Sequence, residues 1–168
     1  MFYFAYGSNM SSKRLNSRIP AVFECVATLP QHELRYHKLS KKDNSGKCDI
    51  FHTDNPCHLV HGVVFSIQRR HKTILDVFEG LGFGYDHKVV TLARVDNGQP
   101  LDAVTYYATQ IDPTIKPLDW YVEHVLVGAR EFGLCQDYVR DYLAVESVQD
   151  SNQRRRAKEL SIYNSCDQ

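Results

Sequence analysis

The sequence predicts an α+β fold: a small, barrel-like mixed sheet with helices packed outside it, clustered in the C-terminal third. Three observations point there. Short β-rich segments separated by turn residues fill most of the chain from Phe2 to Ala108. A helical period over 68–79, and before it a short helical turn after Ser11, interrupt them. Two further helical stripes follow Pro117.

The elements follow in order. Phe2-Tyr3-Phe4-Ala5-Tyr6 is an apolar run of the length of a buried strand, and Gly7-Ser8-Asn9 turns the chain. Ser11-Ser12-Lys13-Arg14-Leu15 then opens a helix, with a serine as N-cap, and Pro20 breaks the pattern. A strand, a small-residue turn and a helix start bring free backbone amides together, an arrangement that favours an anion. Residues 21–29 are β-rich and end at Pro30. Residues 33–39 alternate as a half-buried strand does, 40–47 read as a polar loop centred on Asp43-Asn44-Ser45-Gly46, and 48–51 as a short strand before the Asn55-Pro56 turn.

Residues 60–67 are the clearest buried strand. Ile67, His71, Ile74, Leu75 and Phe78 then form one helical stripe, and Gly80 supplies the stop. Strands over 86–95 and 101–108 flank an Asp96-Asn97-Gly98-Gln99 hairpin turn. Pro117 suits the first turn of a helix whose stripe is Leu118, Tyr121, Val122, Val125, Leu126, Ala129 and Phe132, ending at Gly133. Residues 136–145 repeat helical spacing. The reading is a single domain over 1–147 and a polar C-terminal tail or helix over 148–168.

Composition excludes several classes. The 43% hydrophobic share and mean hydropathy of −0.40 belong to a soluble globular chain. Twenty basic and 20 acidic side chains balance, which argues against a nucleic-acid partner. No run of 18 apolar residues exists to span a membrane. A cleavable leader would remove the turn at residues 7–9, so the chain reads as cytoplasmic. The odd set of five cysteines (Cys25, Cys48, Cys57, Cys135, Cys166) reads as reduced thiols. The late helices are candidates for a homodimer interface, a role that packing on the sheet explains equally well.

Three motifs carry a resemblance. Tyr6-Gly7-Ser8-Asn9 follows an aromatic strand, Leu75-Asp76-Val77-Phe78-Glu79-Gly80 precedes Tyr85, and Gly128-Ala129-Arg130-Glu131-Phe132-Gly133-Leu134 ends a helix. Together they resemble the γ-glutamylcyclotransferase-like (AIG2-like) family, over about 1–145. The resemblance implies a barrel fold and release of 5-oxoproline from γ-glutamyl amides, with Glu79 as general acid/base and no metal or organic cofactor. It also implies that Tyr6, Gly7, Ser8 and Asn9 line a pocket for a small γ-glutamyl molecule. Tyr85, Tyr106 and Tyr121 are candidates for the pocket wall, with core packing as the alternative for each. One departure stands out: the family pattern places an arginine two residues after the Tyr85 position, where this chain has His87.

On the residues alone Glu79 reads as a surface glutamate ending a helix, and the resemblance is what selects it as the base; two local influences agree with that role. It lies at the margin of the apolar stripe, in the last turn, where partial burial and the negative helix end both disfavour a charged carboxylate, as a base working near neutrality needs. Asp76 points away from the stripe. The rival readings are a binding module that kept the pocket without turnover, a deprotecting cyclotransferase for a γ-glutamylated metabolite, and a metal site on Cys48, His52, Cys57, His58 and His61, whose spacings match no paired ligand motif.

Overall fold

The computed structural model describes residues 1–164. Seven strands appear: β1 (Phe2–Ala5), β2 (Val22–Pro30), β3 (His32–Ser40), β4 (Ser45–His52), β5 (Leu59–Ser66), β6 (Tyr85–Arg94) and β7 (Pro100–Ala108). Five of them close a barrel in the order β1-β5-β2-β6-β7, sealed by a parallel contact of Tyr3 with Val104; β3 and β4 form a separate hairpin. The sequence-predicted barrel-like sheet is thus present. A register shift between Phe23 and Cys25 marks a bulge in β2, a device that helps a strand curve.

The helices lie outside: α1 (Ser12–Asn16), α2 (Arg69–Glu79), α3 (Asp119–Glu131), α4 (Gln136–Tyr138) continuing as a π-turn over Val139–Leu143, and α5 (Gln153–Leu160). The core runs through the barrel and under α3, with Phe4, Val60, Val63, Leu75, Val125 and Ala129 fully buried. Gly128 lets α3 close against the first turn of the chain, because a Cβ there would meet the Ser11 nitrogen at 2.3 Å and Met10 Cβ at 2.6 Å. The C-terminal segment is tied on by Asp150, which accepts from Trp120 Nε1 (2.8 Å), and by Glu159, which pairs with Arg14 (2.7 Å).

Three local expectations need correcting. Ser45–Lys47 are strand rather than loop: Gly46 lies so close to the Tyr36 carbonyl that any Cβ would overlap it, and its amide bonds the Lys116 carbonyl. Pro117 stands before the capping residue Leu118, not within the first helical turn, and its carbonyl receives the Val148 amide. On α2 the face that packs is not the predicted stripe. His71 and Leu75 are buried and Lys72, Asp76 and Glu79 half-buried, whereas Ile74 and Phe78 are exposed. At ~100° per residue the packed face is centred roughly a quarter-turn from the predicted stripe, which puts Glu79 at its middle. Asp76 does not point away; it accepts from the Tyr106 hydroxyl (2.6 Å) and pairs with Lys72.

Candidate active site

The site starts with β1. Its apolar run enters the barrel, and the chain leaves through Gly7 into a 3₁₀ turn, Ser8–Met10, that seats α1. Gly7 is required by space: a Cβ would stand 2.9 Å from Cys48 Cβ and 3.2 Å from the Tyr121 hydroxyl. The Ser11 side chain caps α1 by accepting from the Arg14 amide. Among the described residues, the Gly7, Ser8 and Asn9 amides are not spent on carbonyls or side-chain acceptors, so they stand available beside the cavity.

That cavity is about 30 Å³ and is lined by the turn, by Glu79, by Tyr3, Tyr85, Tyr106 and Tyr121, and by Cys48. The structure therefore brings Tyr6, Gly7, Ser8, Asn9, Glu79, Tyr85, Tyr106 and Tyr121 to one place. Among the described residues Glu79 carries the only carboxylate of this wall. Its Oε1 accepts from Asn9 Nδ2 at 2.7 Å and from Arg18 Nη1 at 3.0 Å. Asn9 is a hub: Nδ2 also donates to the Tyr3 hydroxyl (3.0 Å), and Oδ1 accepts from Arg18 (2.9 Å). Oε2 of Glu79 keeps no hydrogen-bond partner among the described residues. The ion pair is well shielded, with 16% of each side chain exposed. Sequence reasoning did not name these two donors, Arg18 and Asn9, which both reach the same oxygen.

The tyrosines build the wall. Tyr121 accepts from the Cys48 amide (3.0 Å), Tyr85 donates to the Cys48 carbonyl, and Tyr6 donates to the Tyr106 carbonyl (2.7 Å). Burial holds the Tyr3, Tyr6, Tyr85 and Tyr121 phenols well above their ordinary values, so they are neutral at pH 7. Burial also pushes the Cys48 thiol up to about 12, which leaves no thiolate nucleophile beside Glu79.

A second cavity of about 210 Å³ shares Ser8, Glu79, Tyr85 and Tyr121 with the first and is otherwise dominated by basic side chains. Arg18 and Lys38, one of three lysines lining this annex, are residues that the sequence did not single out. The family-departure position, His87, is exposed on β6 beside Asp86 and outside both cavities. The remaining Cys and His residues scatter: Cys57 is exposed, His52 packs on His32, His61 stacks on Tyr138 and His58 meets Asn55. Among the described residues no three Cys, His, Asp or Glu side chains converge as metal ligands would. Cys166 lies outside the described residues.

Comparison with known proteins gives consistent results. Residues 59–142 match the model of the AIG2-like family. A γ-glutamylcyclotransferase of Mus musculus is 32% identical over 149 residues, covering 86% of this chain and 78% of that protein. The Homo sapiens γ-glutamylcyclotransferase is 30% identical over the same length and shares. A solved structure described as a gamma-glutamyl cyclotransferase superposes with a TM-score of 0.85 at 28% identity, covering 98% of this chain and 99% of the other.

Proposed function

The chain belongs to the γ-glutamylcyclotransferase family, and on that premise we propose that it cleaves γ-glutamyl amides to 5-oxoproline and a free amine or amino acid, with Glu79 as the general acid/base. The observation that carries the assignment of Glu79 is its geometry: one carboxylate, fixed through Oε1 by Asn9 and Arg18, on the wall of the cavity that the Gly7–Asn9 turn closes.

The chemistry balances without water or a cofactor. The substrate's α-amino nitrogen attacks its own γ-carbonyl carbon, and the new C–N bond closes a five-membered lactam. Glu79 Oε2 takes one proton from the attacking nitrogen and passes it to the amide nitrogen as the scissile C–N bond breaks. The nucleophile belongs to the substrate, so holding the γ-glutamyl chain folded back on itself supplies much of the rate. The amides of Gly7, Ser8 and Asn9 serve the substrate α-carboxylate or the oxygen that becomes negative during attack. Tyr85, Tyr106 and Tyr121, held by bonds to the backbone and to Asp76, form a rigid wall that confines the folded chain.

The partner is a small γ-glutamyl molecule; the even charge balance offers no footprint for nucleic acid. No helix among the described residues is long and apolar enough to cross a membrane. A cytoplasmic setting suits the exposed thiols of Cys57 and Cys135, and a homodimer through the late helices is open to test by sedimentation.

The test is direct. Purified protein is incubated with γ-glutamyl-amino acids, γ-glutamyl-ε-lysine and glutathione, and 5-oxoproline is measured. Glu79→Gln is expected to lower kcat by about 10²–10⁴, the span of a lost acid/base group. Full activity in Glu79→Gln would remove that residue from its role; absence of product from every substrate would defeat the reaction itself.

A further inference from the structure

The annex beside the cyclisation cavity contains an ammonium that has no anionic partner among the described residues. Lys38, on β3, is 8% exposed, yet among the described residues no carboxylate lies within ion-pairing distance and no acceptor takes its Nζ. Its Nζ stands 4.6 Å above the Tyr85 ring. The backbone of Gly84 leaves room for it: a Cβ there would come within 3.0 Å of Lys38 Cε. A buried charge without a counter-ion is costly, and burial pushes the Lys38 ammonium below its ordinary value, offset in part by Glu79 and Asp43.

The other buried or half-buried cations of the annex are each occupied. Lys47 pairs with Asp43 at 2.8 Å, Arg14 with Glu159 at 2.7 Å, Arg18 with Glu79 at 3.0 Å, and Arg155 with Asp150. Lys42 is exposed at the rim. Among the described residues Lys38 is therefore the one inward cation left over, in a cavity large enough for an amino-acid-sized moiety and sharing Glu79 with the cyclisation cavity.

We infer that the annex is the subsite for the leaving moiety and that Lys38 is its specificity-determining residue, anchoring an anionic group, a carboxylate, on the departing amine. The inference rests on the cyclotransferase reading. A γ-glutamyl amide extends in two directions from its scissile bond. The glutamyl half folds against the Gly7–Asn9 amides and Glu79, so the other half occupies the adjoining space, where Lys38 waits. An amine without an anion would bury Lys38 unpaired; an amino acid or short peptide would neutralise it.

The test uses a matched pair, γ-glutamylalanine and γ-glutamylethylamine, which differ by one carboxylate. Turnover is measured as kcat/KM and binding by calorimetry, for wild type, Lys38→Met and Lys38→Arg. A charge-assisted bond in a shielded site predicts a wild-type preference for γ-glutamylalanine of about 10- to 100-fold in both readouts. In Lys38→Met that preference is expected to collapse toward one, while Lys38→Arg keeps most of it. A ratio taken within one preparation does not depend on the folded fraction. No wild-type preference, a preference that survives Lys38→Met, or equal losses on both substrates would overturn the assignment, the last because Lys38 would then be serving the shared glutamyl half. Binding preference without any 5-oxoproline would support the annex and defeat the reaction, so the two readings fail separately.

Discussion

Arg18 offers the sharpest test of how the site is built. Replacing it with methionine keeps an unbranched apolar stem and deletes the guanidinium, leaving the Glu79 carboxylate with Asn9 alone. Exposed ion pairs contribute about 0–1 kcal/mol, whereas breaking a fully buried one costs about 3–5 kcal/mol. With 16% of each side chain exposed, this pair sits between the two limits, and a cost of about 2 kcal/mol follows for the pair. Asn9 Oδ1 also loses its charged donor at 2.9 Å, which adds about 1 kcal/mol. A loss of about 3 kcal/mol corresponds to a fall in Tm of roughly 6–12 °C for a domain of this size. The assay is urea unfolding at pH 7 of wild type, Arg18→Met, Glu79→Gln and the double variant. Each single change strands one partner, so the double variant is expected to be more stable than the summed losses by about 2 kcal/mol. Additivity to within about 0.5 kcal/mol would show that the two groups do not sense each other, and the argument that Arg18 positions Glu79 would be wrong.

Two further outcomes are expected. Gly7→Ala forces a methyl to within 2.9 Å of Cys48 Cβ, so stability should fall by about 1–3 kcal/mol and kcat/KM by about 10² as the turn shifts; the double variant Gly7→Ala/Cys48→Gly should recover much of both, and a fully active Gly7→Ala would refute the packing argument. His124 is sealed from solvent beside Arg14, and burial pushes it down to about 4, so the folded state binds fewer protons than the unfolded chain between pH 6.5 and 4. Its contribution is complete above pH 6.5 and is lost as the pH falls toward 4, worth roughly 3 kcal/mol at 1.36 kcal/mol per pH unit; thermal unfolding across that range should show the slope, and His124→Gln should flatten it.

What was legible in the sequence was whatever local chemistry decides. The β1 run, the Ser11 cap, the left-handed stop at Gly80 and the hairpin around Asn97-Gly98 depend on near neighbours alone. The α2 face was misjudged because periodicity scores apolarity, and this helix turns a partly polar face, Lys72, Asp76 and Glu79, toward the barrel mouth while Ile74, Val77 and Phe78 stay exposed. The i, i+4, i+7 spacing of those three polar residues was the available signal. Arg18 and Lys38 left no such mark. Arg18 is 61 positions from Glu79, and Lys38 matters because among the described residues no carboxylate pairs with it, which a one-dimensional string does not display.

The Asn9 hub also bears on how the molecule ages. Asparagine deamidates when the following backbone nitrogen attacks its side-chain carbonyl. Here the Met10 amide is committed to the Gly7 carbonyl at 2.9 Å, while the Asn9 carboxamide is gripped on both sides by Arg18, Glu79 and Tyr3. The ring closure that begins the damage therefore needs several contacts to open at once. The same lesion, once made, would set a second negative charge against Glu79 in place of a donor. The network that orients the carboxylate thus also opposes the chemical loss of the amide that holds it.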